Sequence, residues 1–221
     1  MTAIPPPPPE NPAARRWIPL LILGILATFG VMALYFLIPG FQPIDIGMML
    51  VVVGISVIGY DRGTLRGVIT IVILYVATGA AATLYQTVGP YVGNIQEILS
   101  FNLAATPEES VNRSALALAF SLLTVAVWGV LELIGRFAAP DTRLQAGILD
   151  KIGGLFVHLV IGVLVASLLF NGIGYGRSRN IHNRALLRPT FNQVLYLYYK
   201  TQTFWFSRNP PPIYVYDLNV R

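Results

Sequence analysis

Apolar residues in this chain fall in long unbroken runs, over about residues 17–38, 44–60, 65–88, 115–136 and 152–175, with almost no charge inside them. About 20 residues of helix, rising 1.5 Å each, cross a hydrocarbon core roughly 30 Å thick. The pattern therefore predicts an all-α integral membrane protein of about five transmembrane helices. The breaks between the runs carry the turn signals. Pro39-Gly40 stops the first run, and the stretch GYDRGTLRG, Gly59 to Gly67, separates the second from the third. Between the third and fourth, YVGNIQEILSFNL (91–103) mixes apolar and polar residues in a helix-like way and reads as an interfacial segment.

The two ends differ from the middle. Residues 1–16 include PPPPPENP, which lacks the amide donors a helix needs and reads as an extended polyproline head. The run that follows is too long for a signal peptide and has no small-residue cleavage site after it, so it reads as a retained anchor. Residues 176–221 contain no run long enough to span, yet are rich in large rings. Such a tail is expected on a membrane surface or on a partner, with Tyr196, Tyr198, Tyr199, Phe204, Trp205, Tyr214 and Tyr216 as docking groups.

Composition sharpens this reading. Hydrophobic residues make up 55% of the 221 and charged residues 11%, against roughly 25% charged in a globular domain. The absence of cysteine removes disulfides, thiolate metal sites and thiol nucleophiles. A formal charge of +5 could suggest nucleic acid, but the basic residues lie beside the spans, where they set topology. Arg15, Arg16, Arg62, Arg66, Arg136, Arg143 and Lys151 fall on one side of a five-span topology and only Arg113 on the other. This predicts a cytoplasmic amino terminus and an outside carboxyl terminus. Arg177, Arg179, Arg184 and Arg188, after the last span, argue against it.

The nine residues of GYDRGTLRG suit a tight helix hairpin. Glycine tolerates positive φ at the turn, and Gly59, Gly63 and Gly67 at four-residue spacing allow close helix approach. Arg62 and Arg66 would hold the turn at the interface. Together with Asp45 in PIDIGMML, this hairpin resembles the first two helices of the colicin V production protein family (CvpA). LDKIGGLFVHLVIGVLVASLLF, residues 149–170 with Gly153 and Gly154, is similar to that family's last helix. The resemblance covers about residues 44–174 as a four-helix membrane domain and implies a bacterial inner-membrane protein, without implying a reaction. The proline-rich head, the first span and the aromatic tail lie outside the family's usual pattern.

Few residues offer chemistry. His158 lies about 10 Å into the fifth span by helical rise. It could contact a haem, chlorin or quinone, or stand as a neutral imidazole hydrogen-bonded to another helix. Glu132 and Arg136 are spaced to pair along one helix face. Asp45 and Asp150 open spans, where a carboxylate suits the helix dipole. NGIGYGRSR (171–179) lacks the strand and lysine of a phosphate loop. The chain carries no HExxH motif and no plausible Ser-His-Asp set, so neither an enzyme nor a resident cofactor is expected. Two readings follow. One is a non-catalytic accessory subunit of a larger bacterial membrane complex, with respiratory and photosynthetic electron-transfer complexes as the analogy and other membrane subunits and lipid as partners. The alternative is a free-standing protein of the colicin V production type, concerned with secretion, transport or envelope maintenance.

Overall fold

The computed structural model describes residues 14–99, 108–138, 147–175, 179–205 and 210–215. Six α-helices follow one another: α1 (Ala14–Leu37), α2 (Pro43–Leu99), α3 (Glu108–Ala138), α4 (Ile148–Gly174), α5 (Arg179–Arg184) and α6 (Arg188–Thr201). Two 3₁₀ turns, Thr203–Trp205 and Pro212–Val215, complete the described chain, and no strand occurs among the described residues. Helices α1 to α4 are long and apolar enough to cross a membrane. The polyproline head before residue 14 and Tyr216 lie outside the described residues.

The membrane-length part of α2 is 51 residues, roughly 76 Å of helix and more than twice a hydrocarbon core. It cannot cross once. At Gly63 the backbone leaves the helical region, with φ 80° and ψ 173°, and α2 becomes two legs, 43–62 and 64–99. Both legs lie against α4 in opposite directions. Gly59 meets Gly154, and Val52 meets Gly162. On the second leg, Thr64 meets Asp150 and Leu74 shares a cleft with Val165 and Leu168. The chain therefore reverses at Gly63, and the four long helices make five passages.

Several boundaries differ from the sequence expectation. Of the interfacial segment expected at 91–103, residues 91–99 continue the second leg of α2 without a break past Pro90, and residues 100–103 lie outside the described residues. Close packing supports that leg past the proline: a Cβ at Gly93 would touch Ala115 at 3.5 Å, and Val92 is buried. Helix α3 begins at Glu108, seven residues before the expected fourth span, although its part apolar enough to cross a membrane is Arg113–Phe137, and the fifth span starts four residues early, at Ile148.

The larger difference is the tail. Expected to lie on lipid or a partner, it folds back onto its own bundle. Leu195, Ile213 and Tyr214 are buried in one cluster with Ala81, Ala82, Tyr85, Ala117 and Phe120. Ala185 and Phe191 are buried in a second, with Met48, Val52, Ala166 and Phe170. Alanines on α2 and α3 leave room that the tail's rings fill, so a segment too polar to span still buries its apolar face. By contrast, α1 packs chiefly on α2 and exposes most of its apolar surface, including Phe29 and Phe36.

Candidate functional site

The most densely constrained part of the molecule is the end at which α2 reverses. Gly63 takes the left-handed conformation that side chains resist. The leg that starts after it exposes an unpaired helix-start amide, and Asp150 supplies the acceptor. Thr64 N donates to Asp150 Oδ1 at 2.9 Å, and Thr64 Oγ1 donates to the Asp150 carbonyl at 3.0 Å. Asp150 thus caps a helix start 86 residues away rather than that of its own helix, which has no side-chain cap. The dipole argument selected the right residue type and missed the recipient.

Beyond the turn, both legs press on α4. A Cβ on Gly154 would strike the Gly59 carbonyl oxygen and lie 2.7 Å from Gly63 C and Cα, all backbone atoms. One on Gly59 would strike His158 and the Gly154 carbonyl, and one on Gly67 would come within 2.7 Å of Val157 and 3.0 Å of the His158 ring. Gly153 faces Thr64. All five hairpin and α4 glycines singled out from the sequence therefore sit at one three-way crossing. A Cβ on Gly162 would lie 2.8 Å from the Val52 carbonyl oxygen, and one on Gly79 would meet the Trp205 ring, so both belong to the same kind of packing. Neither stood out in the sequence because neither lies in a repeated motif.

His158 occupies the space that Gly59 and Gly67 leave and is 2% exposed. Its Nδ1 lies 2.9 Å from the Gly154 carbonyl, one turn back on its own helix. The expected bond to another helix is replaced by this local one, because the facing positions are glycines with no side chain to offer. Nε2 has no hydrogen-bond partner among the described residues. The imidazole itself fills the gap, which leaves its flanks no room for the plane of a haem or chlorin. Among the described residues no group of three or more His, Asp or Glu could hold a metal ion.

Glu132 joins α3 to the reversal. Its Oε1 accepts from Arg66 Nη2 at 2.9 Å and lies 3.5 Å from Arg136 Nε and 4.0 Å from Arg62 Nη1. Pairing with Arg136 along one helix is thus secondary to the bond from Arg66 on α2. Arg62 and Arg66 do more than face an interface, since they tie α2 to α3. Three guanidiniums share one carboxylate, which leaves this end of the bundle locally positive. Arg15 and Arg16 fall in α1, far in sequence from this cluster.

A second polar centre fixes the tail at the other end of the bundle. Asp45, 0% exposed, accepts from the backbone N–H groups of Gln42 at 2.8 Å and of Leu186 and Leu187 at 3.0 Å each. One carboxylate thus serves the starts of both α2 and α6. Gln202, equally buried, donates through Nε2 to Thr78 Oγ1 at 2.6 Å and to the Tyr75 carbonyl at 3.0 Å, and its Oε1 accepts from Tyr214 OH at 2.9 Å. Burial holds the Tyr198 and Tyr214 hydroxyls well above the usual phenol range. Of the expected docking rings, Tyr198, Tyr199 and Tyr214 pack into the tail core and Trp205 covers Gly79, whereas Tyr196 and Phe204 stay exposed.

A polytopic helical membrane protein with a glycine-packed hairpin and a folded-back tail is the class these features define. The family model for the colicin V production protein matches residues 44–195, and the chain belongs to that family. The match runs past the boundary near 174 drawn from sequence motifs and takes in α5 and half of α6, the elements held by Asp45. No curated protein and no solved structure matches the chain.

Proposed function

We propose that this chain is a free-standing inner-membrane protein of the colicin V production type, non-catalytic and concerned with maintenance of the cell envelope. The observation that carries this reading is the tail. Rings that would have served as docking arms of an accessory subunit are engaged within the chain, through Gln202, Tyr198 and Tyr214. Envelope maintenance is favoured over solute transport because buried hydroxyls do not line a path. Ser56, Thr70, Thr78 and Ser167 each donate to a carbonyl four residues back on their own helix, which satisfies them locally.

The amino terminus is cytoplasmic and the tail outside in this reading. The tail packs near Asp45 and Phe170, at the end of the bundle away from the Gly63 turn, and the turn carries Arg62 and Arg66. By the positive-inside bias the turn faces the cytoplasm. A deletion strain should leak dye and grow poorly in detergent, the full chain should restore it, and the protein should migrate alone in mild detergent. Stoichiometric co-purification with a respiratory or photosynthetic complex, or solute flux through liposomes carrying the pure protein, would overturn the reading.

A further inference from the structure

Helices α3 and α4 both pack extensively on α2 but barely meet each other. Between them lies an apolar cleft of about 370 Å³, within the range of pockets that hold a ligand. It opens sideways, toward the bilayer: Leu118, Val125, Leu169 and Ile173 on its walls are 39–62% exposed. Its α3 wall is not uniformly apolar. Thr124 and Trp128 line it, and Thr124 Oγ1 and Trp128 Nε1 are buried without a hydrogen-bond partner among the described residues. In a membrane interior such orphaned groups are costly unless something accepts from them.

The register of α3 indicates what that is. Thr124, Trp128, Glu132 and Arg136 follow one another at four-residue spacing, so each neighbours the next, about 6 Å further along the axis and roughly 40° round it. Leu74, on the α2 wall, lies about two turns along its leg from Arg66. The end of the cleft at Trp128 thus points toward the cluster that starts one turn further on, where Arg62, Arg66 and Arg136 share the single carboxylate of Glu132, with Arg136 60% and Arg62 36% exposed. A buried apolar slot, donors one and two turns further out, and exposed guanidiniums at the end match a diacyl anion: chain, ester carbonyls, phosphate.

We propose that the α3–α4 cleft is a binding site for an anionic glycerophospholipid taken from the surrounding bilayer. Arg136 and Arg62 hold the phosphate, the Trp128 indole N–H donates to an ester carbonyl, and one acyl chain fills the cleft. This rests on the chain sitting in the bilayer, and not on its role in envelope maintenance, so the following test stands whichever way the deletion phenotype falls.

Trp17 and Trp205 are replaced by phenylalanine, leaving Trp128 as the sole tryptophan. The protein is reconstituted in vesicles of phosphatidylethanolamine with 10% of either brominated phosphatidylglycerol or brominated phosphatidylethanolamine. Trp128 fluorescence is expected to be quenched preferentially by the brominated phosphatidylglycerol, with a selectivity of about fivefold, the factor associated with one basic residue near an anionic surface. Arg62→Gln/Arg136→Gln should bring selectivity to unity while quenching persists. Gly172→Phe should reduce quenching by both lipids, because a Cβ there has only Ser121 Oγ near it, at 3.9 Å, and the ring projects into the cleft. Native mass spectra of the parent chain, tryptophans intact, should retain one phosphatidylglycerol. Equal quenching by both lipids in the parent, quenching unchanged by Gly172→Phe, or a dimer that shields Trp128 from both would each overturn the proposal.

Discussion

A methyl group at Gly154 has nowhere to go. The nearest atoms to its Cβ are the Gly59 carbonyl oxygen and the Gly63 backbone, the latter at 2.7 Å. No rotamer change can relieve contacts with main chain, so the two legs of α2 must move off α4. Overpacking of a tight interface costs roughly 1–3 kcal/mol, and here the upper end applies. Alanine recovers up to about 1 kcal/mol of helix propensity relative to glycine, leaving about 2 kcal/mol net. For a chain of this size that corresponds to a melting point lower by about 4–8 °C. Gly54→Ala is the matched control, because nothing lies within 4 Å of its Cβ, and it should melt at or slightly above the parent. The assay is thermal unfolding in mild detergent, followed by circular dichroism. If Gly154→Ala melts within about 1 °C of Gly54→Ala, close helix approach at the crossing is not what holds the hairpin, and the packing account fails.

Other perturbations test the two polar centres. Asp45→Asn should remove charge-assisted acceptance from the Leu186 and Leu187 amides, cost about 3 kcal/mol, and make the chain cleavable by protease between α5 and α6 while the four long helices remain protected. Glu132→Gln leaves three guanidiniums without their carboxylate and should cost about 3 kcal/mol or more; adding Arg66→Gln should recover part of the lost membrane yield, and no recovery would mean that the cluster is not energetically coupled. Tyr198 and Tyr214 titrate above an ordinary phenol when folded, so the tail's stability is fully present below about pH 10. It should fall as pH rises through their elevated folded values, and in absorbance at 295 nm the folded chain should show at least two fewer tyrosines ionising near pH 11 than the same chain unfolded in denaturant.

Hydrophobic run length is a local property, and so the five membrane passages were legible in the sequence to within a few residues. Glycine spacing is local too. It located the reversal within Gly59–Gly67, which the structure narrows to Gly63, and the close-packing glycines Gly59, Gly67, Gly153 and Gly154, because only residues without a Cβ permit that approach and they recur once per turn. Partners are not local. Nothing near Asp45 in sequence announces that its carboxylate meets amides 141 and 142 residues away, nor that Trp205 lies over Gly79. The tail's aromatic residues carry the same chemistry whether they face lipid, another subunit or their own bundle. Alanines at 81, 82 and 117 decide in favour of the bundle, by leaving buried space on α2 and α3 that side chains from the tail fill. The same holds for the cleft: each wall reads as ordinary span, and only the separation of α3 from α4 in three dimensions makes Thr124 and Trp128 part of the lining of a gap.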